Sequence, residues 1–444
     1  MTVDDWRERL GETGWRNDLV ILGTTLFGIY LCYVLVELYL GRPIDGVFGE
    51  LATVSRFLLL FALVVLALNL HWGYTGLFNI GVAGFMMIGV YTMALVSSPE
   101  MGLGLPLVIG ITVGVLAAGL AGLLIALPAL DVRADYFAIV TLGFAEIVRL
   151  TFNSRDLNNW LGDNTMVATG GSRGIDWDSG VQDALIGLLY GTDGSYTPIG
   201  LVVYHVANAV GFRRGIVHDW TFNLLLLVSL FGLFWLCVRT GNSPFGRVLK
   251  AIREDELVPE TLGKDTRVFK LKAFVLGCAL MGLAGILWHG RSASVSPSSF
   301  EPIVTFYIFV ALILGGAGSN TGSVLGGFAF VAVLYEGVPR IPRIINRTLQ
   351  LIGYDLPSAP STIDVAVVEL VSLNPLYLVA YVTSNIGALQ FFLLGVSLII
   401  IIQKRPDGLL GHRSEPAASV DLGRPERTDG EHANVGVERE DEDE

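Results

Sequence analysis

The chain has 444 residues, of which 52% are hydrophobic and only 16% charged, with a mean hydropathy of +0.60 and a formal net charge of −12. Soluble domains carry nearer 25% charged residues, so this composition excludes an ordinary soluble fold, and the acidic balance gives no footprint for nucleic acid. Much of the negative charge is concentrated at one end, with eleven Asp or Glu against four Arg from Arg413 to Glu444.

The apolar residues gather in runs without a charge: Leu19 to Val36, Phe57 to Leu70, Trp72 to Pro99, Met101 to Leu130, Trp220 to Val238, Ala273 to Trp288, Pro302 to Tyr335 and Leu370 to Gln403. About 20 apolar residues cross the hydrocarbon core, and several runs exceed one crossing. The pattern predicts an all-α polytopic membrane protein of roughly eight to ten transmembrane or re-entrant helices. Ahead of the first run, Asp4, Asp5, Arg7, Glu8 and Arg9 give a mixed-charge start. That run ends without a small-residue cleavage site and is expected to remain a membrane helix. Cys32, Cys237 and Cys278 lie inside apolar runs without metal-ligand spacing and are expected to be buried free thiols, so no metal site is predicted.

The stretch from Gly73 to Thr92 is apolar yet broken by five glycines and Asn79. Glycine costs about 1 kcal/mol against alanine within a helix, and irregular backbone at membrane depth survives only inside protein or beside a water-filled cavity. A second interruption runs from Leu314 to Gly327. Paired glycine-interrupted segments in two halves of a chain point to a transporter's substrate path, and tight helix packing or a helix-to-helix turn is the alternative. On the first reading the path is formed by Gly76, Asn79, Gly81, Tyr91, Thr92, Gly315, Gly316 and Gly318. Neither segment holds a charge, so a zwitterion would be met by backbone groups at helix ends together with hydroxyl and amide side chains. Between these segments, Gly110, Gly114, Ala118 and Gly122 recur every four residues and form a packing stripe. Glu146 and Arg149 are spaced as a helical salt pair, and Thr141 and Gly143 beside them are candidates to line the path.

Residues 151–219 hold seven Asp and four Arg with turn-rich composition and are placed outside the cell. Residues 239–272 carry eight Lys or Arg against five acids and lie between membrane helices, which places them in the cytoplasm under the positive-inside rule. Lys404, Arg405 and Arg413 place the C-terminus there too. Arg340, Arg343 and Arg347 fit this scheme badly, because the crossing count leaves them outside. The basic segment contains an amphipathic helix from Phe245 to Leu257, with Phe245, Val248, Leu249 and Ile252 on one face. That face is expected to lie on the bilayer or in a groove of a partner protein.

No phosphate loop is present: the lone Gly-Lys pair, Gly263-Lys264, is followed by Asp265, and Val258 stands where the first glycine should be. The six histidines are scattered, and no catalytic constellation appears. A secondary carrier or channel is the rival reading, against which the acids Glu37, Asp131, Asp135, Glu336 and Glu369 all fall at run edges.

Four segments carry a family resemblance. Ser243-Pro-Phe-Gly-Arg-Val-Leu-Lys-Ala-Ile-Arg-Glu-Asp-Glu followed by Glu260-Thr-Leu-Gly resembles the coupling motif of LivM-type permeases of branched-chain amino acid ABC transporters. Gly73 to Thr92, Asp135 to Arg149 and Arg405-Pro-Asp-Gly-Leu-Leu-Gly411 are similar to three further segments of that family, in the same order. The resemblance covers about residues 50 to 411 and departs at 176–217, near 339–380 and in the tail. It implies a transmembrane permease with a cytoplasmic coupling segment at 243–265; the permease domain is placed over 1–411, and the acidic composition of 412–444, almost free of large apolar residues, predicts a disordered cytoplasmic tail. ATPase coupling would rest on Phe245, Gly246, Arg247, Arg253, Glu254, Asp255 and Gly263. It also implies a multi-pass protein of the cytoplasmic membrane, working with a homologous second permease, two cytoplasmic ABC ATPases and an extracellular substrate-binding protein amid membrane lipid. The chain itself would hold no cofactor, ATP being used by the partner subunits. Leucine, isoleucine and valine, with other amino acids, short amides or urea as the alternatives, would be moved by alternating access.

Overall fold

A peptide group in hydrocarbon finds no water to bond, so each charge-free run must satisfy its own N–H and C=O groups, and a helix does so. The computed structural model of the chain describes residues 15–129, 134–165, 167–177, 180–192, 195–292, 294–405 and 407–410. The acidic tail at 412–444 lies outside the described residues. Among the described residues, nine helices are long and apolar enough to cross a membrane, and the chain is a multi-pass membrane protein.

The first helices are α1 (Trp15–Tyr39), α2 (Ile44–Thr75), the half-length α3 (Val82–Ser97), α4 (Leu107–Ala129) and α5 (Ala134–Asn153). After a polar stretch come α9 (Arg214–Asn242), α10 (Pro244–Glu254), the short α11 (Leu257–Thr261) and α12 (Thr266–Trp288). The chain closes with α13 (Pro302–Gly315), α14 (Asn320–Phe330) with its π-helical turn Val331–Tyr335, then α15 (Ile341–Leu351), α16 (Ile363–Val371), α17 (Leu376–Ser384) and α18 (Ile386–Lys404). The stretch placed at 151–219 is not a bare loop. It folds into α6 (Arg155–Asn164), α7 (Val181–Tyr190) and α8 (Pro198–Val210), with Pro198 at the first turn of α8 and the Thr197 hydroxyl accepting from the N–H of Gly200.

Helix α2 is the core of the bundle: 83% of its most apolar window is buried, against 6% for α1 and none for α18. It packs against α9, α12, α13 and α14. A second nucleus joins α3, α4 and α12, where small residues let backbones touch. The stripe Gly110, Gly114, Ala118 and Gly122 is buried there. A side chain at Gly89 would collide with the carbonyl of Gly282, and one at Gly122 would come within 2.7 Å of Cys278. Of the cysteines, Cys237 and Cys278 are buried as expected, but Cys32 is exposed on the outward side of the peripheral α1.

The connections sort into two ends. At one lie the C-terminus of α2, the α10–α11 segment, the start of α12, the α13–α14 turn and residues 408–410, whose Leu409 and Leu410 N–H groups donate to Leu314 and Gly315. At the other lie the α1–α2 connection, α6 to α8 and the segment after α14. A short antiparallel ladder there pairs Ile175–Asp176 with Ser294–Val295, and Arg213 pairs with Asp45 at 3.2 Å. A second ladder, Gly191–Thr192 with Ser195–Tyr196, closes the α7–α8 turn.

Two of the three arginines that fitted the topology badly are paired with carboxylates at this second end. Arg340, 7% exposed, meets the fully buried Glu37 at 3.4 Å, Glu50 at 3.1 Å and Glu336 at 2.5 Å, while Arg343 reaches Glu50 at 3.5 Å. A cation cancelled by carboxylates does not act as the free charge that holds a loop on the cytoplasmic side.

Candidate functional site

The basic segment at 243–265 begins at a tight corner. The Ser243 hydroxyl caps α10 by accepting from the N–H of Gly246, and Pro244 occupies the first turn. Gly246 has no room for a side chain, since a Cβ would collide with the Thr240 carbonyl of α9. The helix stops at Glu254, and Gly263 ends the next turn with φ at 74°. Its amphipathic face is not offered to a partner or to lipid. Leu249 and Ile252 are buried, Leu249 packing against Leu70, Tyr74 and Ala273, and Phe245 stacks on Phe269 at 5.3 Å. Lys250 is buried with its ammonium 5.4 Å from the Tyr74 ring centre. The expectation that this face docks outside the chain is therefore corrected: α2 and α12 take it. Arg247, Glu254 and Asp255 point outward instead, followed by the exposed apolar side chains of Leu257, Val258 and Leu262.

Arg253 joins this segment to both glycine interruptions. Its Nη1 donates to the carbonyl of Gly73 at 2.6 Å, one of the last carbonyls of α2. Gly76, left-handed at φ 71° after the helix end, lies against the Arg253 stem. A Cβ on Gly318, itself at φ 95°, would sit 2.7 Å from the same Nη1. A cation at a helix C-terminus meets the negative end of the macrodipole as well as an unpaired carbonyl. The α13–α14 turn is held to α2 by amides: Asn69 accepts from the N–H of Gly318 at 2.8 Å and donates to Asn320 at 3.2 Å, and Asn320 donates to the Tyr74 hydroxyl at 2.7 Å.

Between α2 and α3 the chain turns back over residues 76–81, and its loose backbone groups are satisfied by the protein itself. Asn79 Oδ1 accepts from the N–H of Gly81 at 2.9 Å, the Thr141 hydroxyl accepts from that of Ile80 at 3.0 Å, and the Thr305 hydroxyl accepts from that of Ala83 at 3.1 Å. Asn79 Nδ2 lies 3.1 Å from His71 Nδ1, and His71 Nε2 lies 3.0 Å from the Phe274 carbonyl. A carbonyl can only accept, so Nε2 donates and Nδ1 accepts, which makes a neutral ring.

The predicted path residues thus separate into three groups. Gly76, Asn79, Gly81 and Thr141 meet at the α2–α3 turn, and Gly315, Gly316 and Gly318 build the α13–α14 turn, where Gly316 is pressed against Gly408. Tyr91 and Thr92 lie apart from both, far along the regular helix α3. Tyr91 is buried there, with its hydroxyl 3.4 Å from the Val295 carbonyl and its ring against Phe152 and Phe300. Asn69, His71, Tyr74, Asn320 and Thr305 complete the buried network and were not singled out from the sequence. The signal was present: Asn69 and His71 flank the end of a charge-free run, where a buried polar group needs a named partner. On α5, Gly143 meets nothing within 4 Å, and the expected Glu146–Arg149 pair forms at 2.5 Å, with those side chains 34% and 19% exposed.

Three comparisons bear on this geometry. The model of the family described as branched-chain amino acid transport system / permease component matches residues 51–351. The chain is 35% identical over 289 residues to the high-affinity branched-chain amino acid transport system permease protein LivM of Escherichia coli (strain K12), covering 64% of this chain and 61% of that protein. It is 24% identical over 385 residues, or 79% of this chain and 90% of the relative, to the probable branched-chain amino acid transport permease protein LivM of Methanocaldococcus jannaschii. The probable permease protein LivH of the same archaeon is 33% identical over 152 residues, 34% of this chain and 41% of LivH. The chain spans about three fifths of the length of the bacterial LivM it matches. No solved structure matches. The family model takes in well over half of the chain, including the α2–α3 turn, the basic segment at 243–265 and the α13–α14 turn, and the chain belongs to the branched-chain amino acid transport permease family.

Proposed function

We propose that this chain is the translocating permease subunit of an ATP-driven importer of branched-chain amino acids, working by alternating access. The observation that carries this reading is Arg253, which ties the cytoplasmic coupling helix to the end of α2 and to the α13–α14 turn in one grip. ATP-driven movement of the ATPases would press on the exposed side of the segment, at Arg247, Glu254, Asp255 and Leu257, and Arg253 would carry the displacement into both halves of the bundle. Phe245, Gly246 and Gly263 set the shape of that lever rather than touching the ATPase.

The remaining parts of the complex follow from the family. A homologous second permease, two cytoplasmic ATPases and an extracellular substrate-binding protein are the proposed partners, and the first has a counterpart in the LivH relative. The face of α5 that carries Gly143 and Glu146 is the proposed lining of the path between the two permeases, because charge facing lipid there would be costly. The permease domain takes in 1–411 and the acidic tail 412–444, with the coupling segment and C-terminus in the cytoplasm and 151–219 outside. The chain needs no cofactor of its own, since ATP is bound by its partners.

Uptake of labelled leucine into proteoliposomes holding the complete complex, with binding protein outside and ATP inside, tests the reading. Uptake that requires ATP supports it. Leucine uptake at the same rate without the ATPases would replace the importer with a carrier or channel.

A further inference from the structure

At the end of the bundle away from Arg253, a cavity of about 660 Å³ reaches down between α2, the end of α12 and the Ile175–Val295 ladder. This lies within the roughly 300–1,000 Å³ of small-molecule sites. Arg56 lines it, at the threshold of the charge-free run of α2, and its guanidinium stands 5.0 Å from the Phe57 ring centre. Arg56 is only partly exposed, yet it makes no hydrogen bond or ion pair with any of the described residues. A guanidinium in this setting normally claims a carboxylate or carbonyl. Its neighbour Arg291 already has one, pairing with Asp219 at 3.2 Å.

Asp176 lines the same cavity from the ladder, and its carboxylate too makes no ion pair with the described residues, while its backbone carbonyl accepts from the Ser98 hydroxyl at 2.9 Å. The floor between these charges is apolar, built from Phe57, Leu60 and Trp288, with the Trp288 ring 5.0 Å from Phe61. Burial pushes the ring of His289, beside Trp288, down to about 4, so at neutral pH the arginines carry the positive charge of the cavity.

From an unpaired cation, an unpaired anion and an aromatic and aliphatic floor in one cavity, we infer that this chain holds its own low-affinity site for a zwitterionic aliphatic α-amino acid at the outer end of the bundle. Arg56 takes the α-carboxylate, Asp176 the α-ammonium, and Phe57, Leu60 and Trp288 the branched side chain. The choice of ligand rests on the importer reading above; the site itself rests on the cavity. It receives the solute released by a binding protein and holds it before the path opens.

The test is binding of tritiated leucine to the complete permease–ATPase complex in nanodiscs, without binding protein, alongside ATP-dependent uptake by the same complex with binding protein. Saturable binding is expected, weakened roughly tenfold or more by Arg56→Gln and by Asp176→Asn, the loss of one charge-assisted hydrogen bond in each case. Asp176 is exposed, so its variant keeps the fold even if Arg56→Gln does not. Isoamylamine, which lacks the carboxylate, should compete weakly and be indifferent to Arg56→Gln. The anion 4-methylpentanoate, which lacks the ammonium, should be indifferent to Asp176→Asn. Wild-type leucine affinity in both variants, or no binding by a complex that takes up leucine, overturns the site and leaves the importer reading standing. Binding that both variants weaken, in a complex without ATP-dependent uptake, upholds the site and overturns the importer.

Discussion

Replacing Arg253 with alanine should uncouple ATP hydrolysis from uptake while leaving the complex assembled. The variant loses a hydrogen bond from a charged donor to the Gly73 carbonyl at 2.6 Å, worth about 1.5–3 kcal/mol, and the interaction of a cation with the end of α2, worth roughly 0.3–1 kcal/mol. Together these give about 2–4 kcal/mol of linkage between the coupling helix and the two turns, and each 1.4 kcal/mol is a factor of about ten. Uptake per ATP in proteoliposomes should fall by roughly 30-fold or more, with hydrolysis retained. Arg253→Lys keeps the charge but not the planar fork, and should fall between the two. Arg247→Glu is the contrasting change: Arg247 is exposed, so its reversal should weaken recovery of the ATPases with the purified permease. An Arg253→Ala complex that transports with the wild-type uptake-to-hydrolysis ratio would refute the transmission argument, whatever its stability.

Gly89→Ala should lower the thermal unfolding midpoint in detergent, because its Cβ would collide with the Gly282 backbone and overpacking costs about 1–3 kcal/mol. Gly143→Ala, with nothing within 4 Å, should instead raise it by the equivalent of about 1 kcal/mol of helix propensity. Arg340→Ala leaves the fully buried Glu37 with Arg42 alone, at 3.5 Å, and should destabilise by about 1.5–3 kcal/mol, with Glu37→Gln in the same chain restoring part of the loss in a double-mutant cycle. Asn79→Ala removes the acceptor for Gly81 and the donor to His71; a loss of about 1–3 kcal/mol per stranded group is expected by urea titration in mixed micelles. Deleting 415–444 should leave leucine uptake unchanged at matched expression.

The membrane helices were legible because a charge-free run has few alternatives in a bilayer, and the stripe from Gly110 to Gly122 announced its packing through spacing alone. The short helix after Ser243 was legible through its amphipathic spacing and its Ser-Pro corner. What those signals lack is the identity of a partner. A period of 3.6 places Leu249 and Ile252 on one face but does not say that α2 and α12 cover it. The same limit hid the Arg340 cluster, whose hydrogen-bonded partner Glu37 lies 303 residues away. Glycine count misled at Tyr91 and Thr92: the break ends at Gly81, while Gly84 and Gly89 serve close packing within a regular helix.

One element connects the two ends of the bundle. Helix α2 runs unbroken for 32 residues, or roughly 48 Å at 1.5 Å per residue. Just past its first third it carries Arg56 on the cavity wall, and at its C-terminal end it presents the Gly73 carbonyl to Arg253. Between them lies the charge-free run Phe57 to Leu70, buried on nearly every side. Such a helix bends little, because close-packed neighbours fill the space on all sides. A displacement delivered through Arg253 therefore cannot be absorbed locally: it shifts α2 with the helices packed on it, and the cavity wall at Arg56 moves with them. The cavity and the 243–265 segment need no further relay, and a substitution that weakens leucine at Arg56 should raise the leucine concentration that half-maximally stimulates the ATPase, since a weaker site fills at higher ligand concentration.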